Sequence, residues 1–278
     1  MKGGGPRVSI VTPCRNHGRY VREMLESVFA QSFPSWESII VDDGSTDDTG
    51  EILDGIRHGK VRVIRTANRG PSSARNTGIA AARAPLILNL DADDKIAPTY
   101  LERAVEIFES HPDAGIVYCG QRFFGAGTGR YELPPYSPEA MLRDNVIPSL
   151  SFFRKDDWER VGGYSGELAY GLEDYDFWLS LIELGREVYK IPEDLAFYRT
   201  YGRLGDCRSG RMKRSRRKAM LSVLAVFRRH RKLYEKYPGE YDRMEKLERL
   251  WNAEPFVLRW LRELHHFWTL CRERRTLL

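Results

Sequence analysis

The chain has 278 residues, 42% apolar and 30% charged, so it can bury a core and is neither a disordered tail nor a fibrous repeat. No apolar run approaches the roughly 18 residues that span a bilayer, and the four cysteines form no C-x-x-C pair, which argues against a zinc site or a disulfide framework. The net charge of +5 divides unevenly, because residues 1–201 carry 23 Lys and Arg against 30 Asp and Glu, whereas residues 202–278 carry 21 against 9.

The first 120 residues alternate strand and helix patterns. Residues 1–6 lead into the first strand without the apolar core of a signal peptide, which predicts a reducing cytoplasm as the location. Apolar and β-branched runs predict strands at 8–12, 38–41, 61–64 and 86–90. Helical spacing predicts a helix over 20–31, and Ser45 or Thr46 is placed to cap the next one. Pro71 opens a third predicted helix, over 71–83.

This order of elements predicts a parallel sheet with right-handed crossovers, and ligands beyond the carboxyl ends of its strands. After residue 120 the pattern loosens. Residues 120–138 are rich in Gly and Pro and predict a loop or an irregular hairpin. Short strands are predicted at 149–154, 188–191 and 195–199, and helices at 156–161 and 173–184, the second ending at Gly185.

The last part of the chain is basic and helical in pattern. Seven basic residues lie within 208–218, where we expect a helix to open, run to Tyr237 and stop at Pro238. The final segment then puts large apolar side chains on one helical face: Phe256, Val257, Trp260, Leu261, Leu264, Phe267, Trp268 and Cys271. This face fits either a membrane interface or packing on the body of the protein or on a second subunit, as in a homodimer. Nucleic acid is not expected as a partner, because no known binding module accompanies the basic run.

Clustered acidic residues are the main chemical signal. They follow predicted strands or open a helix: Asp42 and Asp43; Asp91, Asp93 and Asp94; and Glu173, Asp174 and Asp176. An isolated Asp-Asp-Gly-Ser is more often a solvated loop, and acidic residues at a helix start are also favoured by the helix dipole. Three carboxylates directly after an apolar strand repel one another, however, unless a cation lies among them. Mg²⁺ or Mn²⁺ would accept these oxygens and share them with substrate phosphates.

The motifs in their order closely resemble those of the family 2 glycosyltransferases. The resemblance spans about residues 7–200, through the segments 8–16, 27–32, 41–47, 68–78, 90–94, 153–155, 161–164 and 173–178. It implies an α/β fold of the GT-A type, with a Rossmann-like, mostly parallel central sheet flanked by helices, here followed by a C-terminal helical extension. It also implies an inverting transfer of a sugar from a nucleotide diphosphate sugar to an acceptor hydroxyl.

On this basis the expected catalytic domain is 1–204, with its nucleotide-binding part at about 7–120 and its acceptor-binding part at about 121–204. A basic amphipathic extension, 205–278, follows. The expected donor is a UDP-sugar, and the expected acceptor is a glycan or a lipid-linked glycan in polysaccharide, glycolipid or cell-surface glycan synthesis. A cytoplasmic enzyme of this kind would sit in solution or peripherally on the inner face of the membrane.

The resemblance also implies roles for the donor-side residues. Asp43, with Asp42 beside it, matches the aspartate that hydrogen-bonds the base, and Arg75 matches an arginine that reaches the base or the phosphates. In the D-x-D motif, Asp91 and Asp93 match the pair that holds a Mn or Mg ion on the diphosphate. Asp94 is a further candidate ligand of that ion, and Asp91 is also expected to touch the donor.

Asp174 matches the general base, which would take the proton of the acceptor hydroxyl. Glu173 beside it is expected to raise the pKa of Asp174 by like-charge repulsion.

Two positions depart from the family pattern. After Pro13, Arg15 stands where a tyrosine usually lies near the base, and its planar cation can also stack on a base. Tyr201 stands where many relatives carry a histidine that assists the metal or the diphosphate. Either the metal keeps more water, or an arginine of the tail, Arg203, Arg208 or Arg211, supplies a phosphate contact.

Two other functions remain open at this point. A sugar-nucleotide nucleotidyltransferase would normally carry a Gly-rich phosphate loop after the first strand, which residues 12–16 lack. A non-catalytic nucleotide- or glycan-binding protein of the same fold would have no need of Asp91, Asp93 and Asp174 together.

Overall fold

The computed structural model describes residues 4–168, 171–202 and 216–253. They fall into two compact units, one formed by residues up to 168 together with 173–202, and the other by residues 171–172 and the helices from Arg216 onward.

The first unit alternates strands and helices. Its strands are β1 (Val8–Cys14), β2 (Trp36–Asp42), β3 (Val61–Arg65), β4 (Leu86–Asn89), β5 (Lys95–Ile96), β6 (Ala114–Gly125), β7 (Gly129–Tyr131), β8 (Phe152–Arg154) and β9 (Glu187–Thr200). Its helices are α1 (Gly18–Phe29), α2 (Thr49–Asp54), α3 (Pro71–Ala81), α4 (Tyr100–Ser110), α5 (Pro138–Arg143), α6 (Lys155–Val161) and α7 (Glu173–Glu183).

These strands form one mixed sheet in the order β3-β2-β1-β4-β8-β6-β9-β5, with β7 paired to β6. Strands β3, β2, β1 and β4 are parallel. Strand β8 is antiparallel to β4 and β6, and β9 runs parallel to β6. The central strands are buried along nearly their whole length, as continuous apolar runs of a covered parallel sheet require. The predicted α/β class with a mostly parallel first half is therefore confirmed.

Several local predictions were wrong. Helix α2 begins at Thr49 with Asp48 at its N-cap, because Ser45 is used in the turn after β2, where its Oγ accepts the N–H of Asn16 at 3.0 Å. Helix α4 was not predicted. The two strands expected at 188–191 and 195–199 form the single strand β9, which shifts its register against β6 at Gly120. Of the loop or irregular hairpin expected at 120–138, the hairpin is confirmed, formed by the end of β6 and β7.

The second unit contains α8 (Arg216–Arg229), α9 (Arg231–Tyr234) and α10 (Pro238–Ala253). Pro238 begins a helix and does not merely stop one, since a proline at the first helical position loses no intrahelical hydrogen bond. Among the described residues, no helix is both long enough and apolar enough to cross a membrane. The amphipathic face predicted at 256–271 lies outside the described residues.

Helix α3 approaches the sheet closely at Gly78. A Cβ added there would lie 2.5 Å from Cγ1 of Val11 and 3.2 Å from Cγ2 of Val41. We expect Gly78→Ala to lower the free energy of unfolding by about 1–3 kcal/mol, because the helix must move off the strand. Urea unfolding checks this, with Gly166→Ala as the control, since an added Cβ there meets nothing within 4 Å. Equal stability of the two variants would contradict the close approach.

Candidate active site

The carboxyl end of β2 carries two buried aspartates that organise the neighbouring loops. Oδ1 of Asp43 accepts hydrogen bonds from Oγ1 of Thr66 and the N–H of Arg69, both at 2.8 Å, and its Oδ2 accepts the N–H of Gly70 at 2.7 Å. Oδ1 of Asp42 accepts the N–H of Ser45 at 3.0 Å. The predicted base-binding carboxylate thus lies at the expected edge, where it holds the loop leading into α3. Its contact with a base stays a prediction.

The loop after β1 interlocks with the loop after β2. Asn16 adopts a left-handed backbone with φ of 57°, and its Oδ1 accepts the N–H of Thr46 at 2.8 Å. Asparagine tolerates this conformation better than most residues. Pro13 is half-buried in β1, and the side chain of Arg15 is exposed just after the strand. The structure therefore leaves a cation at the position where the family pattern has a tyrosine.

The D-x-D loop follows β4. Oδ1 of Asp91 accepts a hydrogen bond from Nη2 of Arg75 at 2.8 Å. The hydroxyl of Tyr201 donates to Oδ2 of Asp93, and Nε2 of His17 lies 3.9 Å from the same oxygen. Asp94 is buried, with its Oδ1 accepting the N–H of Arg199 at 2.8 Å. Burial, then the charges of Asp93 and Asp91, raise the pKa of Asp94 well above its ordinary value.

Within 4–168, 171–202 and 216–253, no group of three or more His, Cys, Asp or Glu side chains is arranged to hold a metal ion. The side chains of Asp91 and Asp93 are 29% and 21% exposed, so both carboxylates reach solvent. They fit the mode in which Mg²⁺ takes one or two carboxylates and completes its shell with water and substrate phosphates. Asp94 fits this mode less well, because it is buried, holds the backbone of β9 and retains its proton to higher pH.

Arg199 supports the D-x-D loop and was missed in the sequence. Its Nε donates to the carbonyl oxygen of Asp93 at 2.7 Å, and its guanidinium pairs with Glu23. The guanidinium carbon lies 4.2 Å from the ring centroid of Phe124 and 4.6 Å from that of Tyr20. His17 was missed as well, because nothing in the local pattern around the start of α1 indicates that it meets Asp93.

Arg75 joins the carboxylates of Asp91 and Glu173. Besides its bond to Asp91, its Nη1 donates to Oε1 of Glu173 at 3.1 Å. The Arg75 side chain is only 6% exposed. Burial opposes its charge, but Asp91 and Glu173 together raise the pKa of Arg75 above its usual range. Arg75 is thus a buried bridge between the end of β4 and the start of α7, and its contact with a nucleotide stays a prediction.

Asp174 lies in the first turn of α7. Its Oδ1 accepts the N–H of Tyr175 at 2.9 Å, and its Oδ2 accepts Nδ2 of Asn145 at 3.1 Å. Burial, followed by the charge of Glu173, raises the pKa of Asp174 to about 6, whereas Arg75 acts to lower it. As expected, the charge of Glu173 raises the pKa of Asp174. A carboxylate with this pKa can accept a proton near neutral pH.

Comparison with known proteins identifies the family. The model of glycosyl transferase family 2 matches residues 9–162. A putative teichuronic acid biosynthesis glycosyltransferase of Bacillus subtilis, TuaG, is 31% identical over 207 residues, covering 72% of this chain and 81% of the relative. The chain belongs to glycosyl transferase family 2. The family match favours a glycosyltransferase over the sugar-nucleotide nucleotidyltransferase considered above.

Other relatives of this family 2 member are longer than the chain. A chondroitin synthase of Escherichia coli is 32% identical over 65% of this chain, which spans 27% of the synthase. An uncharacterized protein of Sinorhizobium fredii, y4gI, is 34% identical over 70% of this chain, which spans 22% of that relative.

Solved structures share the fold. S. aureus TarS 1-349 in complex with UDP-GlcNAc has a TM-score of 0.64 at 18% identity, over 80% of this chain and 66% of TarS. The mannosyltransferase PcManGT of Pyrobaculum calidifontis, in complex with GDP-Man and Mn²⁺, also has a TM-score of 0.64, at 19% identity over 99% of this chain and 84% of that enzyme. The fold is therefore GT-A.

Proposed function

We propose that this protein is an inverting glycosyltransferase that moves a sugar from a nucleotide diphosphate sugar to an acceptor hydroxyl. The donor that we propose is a UDP-sugar. The observation that carries the proposal is the bridge through Arg75. One buried arginine contacts both Asp91 of the D-x-D motif and Glu173, next to the candidate base Asp174. A donor-side carboxylate and a proton acceptor are thus held in one cluster.

In the proposed reaction, Asp174 accepts the proton of the acceptor hydroxyl as its oxygen attacks the anomeric carbon. The bond from that carbon to the diphosphate oxygen breaks, and its electron pair leaves with the diphosphate. Attack from the face opposite the leaving group inverts the anomeric centre. Asp93 and Asp91 would hold a Mn or Mg ion, which when bound neutralises charge on the diphosphate. Asp43, Asp42, Pro13 and Arg15 would surround the base.

Names of similar proteins support the donor and acceptor classes. The TarS and PcManGT complexes contain UDP-GlcNAc and GDP-Man, both nucleotide diphosphate sugars, and the second also contains Mn²⁺. TuaG and the chondroitin synthase are named for polysaccharide synthesis. We therefore place the acceptor among glycans or lipid-linked glycans. In this proposal residues 1–204 form the catalytic domain, and the basic segment 205–278 contacts an anionic membrane surface or a second copy of the chain.

Removal of the Asp93 carboxylate tests the metal-dependent part of this function. We expect Asp93→Ala to lower Mn-dependent hydrolysis of nucleotide sugars by about a hundred-fold, because a metal on the leaving diphosphate contributes several kcal/mol. The measurement uses UDP-GlcNAc, UDP-glucose and GDP-mannose with and without Mn²⁺, and Asp113→Ala, at an exposed aspartate, is the control.

The same assay separates the alternatives. Consumption of a nucleoside triphosphate with a sugar phosphate would instead indicate a nucleotidyltransferase. Binding of the donor panel without any turnover, with an acceptor mixture present, would indicate a non-catalytic protein. Unchanged Mn-dependent hydrolysis in Asp93→Ala would refute the metal role of that residue.

A further inference from the structure

We propose that Asn145 is a positioning residue for the base: its side-chain amide fixes the orientation of the Asp174 carboxylate and favours its ionised form. The inference rests on the proposed role of Asp174. Asn145 lies between α5 and β8, 29 residues before Asp174, in the part of the chain where the family resemblance is thinnest.

The contacts of Asn145 determine which end of its amide faces the base. Its Oδ1 accepts the N–H of Ile147 at 3.3 Å, and this N–H can only donate. The opposite end of the amide, Nδ2, donates to Oδ2 of Asp174 at 3.1 Å. With the amide reversed, an oxygen would face the Asp174 carboxylate and an NH₂ would face a backbone N–H, so both contacts would be lost. The contact with Ile147 therefore fixes the NH₂ of Asn145 as the hydrogen-bond donor to Asp174.

The segment that carries Asn145 is itself anchored. The N–H of Asn145 donates to Oδ1 of Asp144 at 2.9 Å, and the next two residues, Val146 and Ile147, are buried. A second tie joins this region to α7, because the hydroxyl of Tyr175 donates to the carbonyl oxygen of Met141 at 2.7 Å. The amide of Asn145 thus reaches Asp174 from a segment that is also hydrogen-bonded to Tyr175, the residue after Asp174.

The groups around Asp174 act on its ionisation in opposite directions, and the Asn145 amide is one of them. Burial and the charges of Glu173 and Asp91 favour the protonated acid, whereas the charge of Arg75 favours the carboxylate. A hydrogen bond donated to a carboxylate favours its ionised form without adding charge. Among the residues that the structure describes, Oδ1 of Asp174 accepts the Tyr175 N–H and Oδ2 accepts the Asn145 amide. A carboxylate oxygen has two lone pairs, so neither of these bonds prevents it from also accepting an incoming hydroxyl.

Asn145→Asp and Asn145→Ala test the inference. Asp keeps the size of the side chain and an acceptor for Ile147 but removes the donor to Asp174, and Ala removes both. The readout is a ¹³C NMR titration of the aspartate carboxyls, with the Asp174 signal assigned by its loss in Asp174→Asn. We expect the pKa of Asp174 to rise by about one unit in Asn145→Ala and further in Asn145→Asp. Glu139→Gln, on an exposed position of α5, should leave it unchanged.

The kinetic consequence follows from this shift. With the donor that the wild type turns over in the panel above, kcat at pH 6 should fall about five-fold in Asn145→Ala and recover toward pH 8, with the donor KM unchanged. A purely structural role would lower the unfolding midpoint without moving the pKa or the pH profile. An unmoved pKa in folded Asn145→Ala or Asn145→Asp overturns the inference.

The result also separates this inference from the proposed function. If the pKa shifts but Asp174→Asn retains transfer, the base assignment fails while the contact between Asn145 and Asp174 stands. If Asp174→Asn abolishes transfer and the Asn145 variants behave as wild type, the inference alone fails.

Discussion

Replacing Asp174 with Asn is expected to reduce glycosyl transfer by about 10²–10⁴-fold while leaving donor binding intact. The amide has the size of the carboxyl group but cannot take the proton of the acceptor hydroxyl. Asp91 and Arg75, which we propose face the donor, keep their contact with each other. Transfer is measured with the donor identified in the hydrolysis panel, and donor affinity by isothermal titration calorimetry in the presence of Mn²⁺.

The pKa of Asp174 gives this prediction a pH dependence. Because the pKa is about 6 in the folded protein, transfer by the wild type should fall as the pH drops through 6 and the base becomes protonated. The effect on stability has the opposite sign. The pKa is raised from an ordinary value of 3.8, so the folded state holds this proton more tightly than the unfolded chain, and ionisation destabilises it as pH rises from about 4 to about 6. Asp174→Asn should therefore be more stable than the wild type at pH 7.

Asp156→Asn is the matched control. It makes the same chemical change in the first turn of another helix, α6, at an exposed position. It should change neither transfer nor its pH profile. Near wild-type turnover in Asp174→Asn would remove this residue from the role of base, and a loss of donor affinity equal to the loss of turnover would place it in donor binding instead.

The strands and acidic clusters could be predicted from the sequence because they are local. Apolar runs ending in Asp43 and Asp91 mark the carboxyl ends of parallel strands, and the structure brings the loops after them to one edge. The link between Asp91 and Glu173 through Arg75 was not predicted, although each of the three had been singled out. The sequence shows that these charges exist but does not show which pairs are desolvated together.

The supporting residues could not be predicted, because each acts through a contact between distant segments. Arg199 reaches Asp93 across 106 residues, and His17 reaches it from the start of α1. Asn145 stands in a segment whose local pattern indicates only a loop. Such contacts depend on how β9 and the loop after α5 return to the sheet, which a pattern of period two or 3.6 does not encode.

Replacing Arg75 with Met is expected to lower the free energy of unfolding by about 3–5 kcal/mol, because it removes the cation that faces the buried carboxylate of Glu173 and the partly exposed one of Asp91. Glu173 is 5% exposed and loses its Nη1 partner, and Asp91 loses the bond to Nη2. Arg75→Lys should recover only part of the loss, since a single ammonium does not match the two-pronged bridge. Adding Glu173→Gln to Arg75→Met should also recover part of it, by removing the buried negative charge that Arg75 faced. Urea unfolding at pH 7 measures all three.

Arg103→Met is the control that distinguishes the loss of stability in Arg75→Met from the effect of removing any paired arginine. Arg103 pairs with Glu106 and Glu193, but its side chain is 45% exposed, so its removal should cost no more than about 1 kcal/mol. If Arg75→Met is as stable as Arg103→Met and instead loses donor affinity, then Arg75 contacts the nucleotide, as the family resemblance implies. If Arg75→Met instead loses much stability and Glu173→Gln restores part of it, Arg75 is established as the bridge between Asp91 and Glu173. Glu173→Gln can stabilise the Arg75→Met variant only if Glu173 and Arg75 share a buried contact.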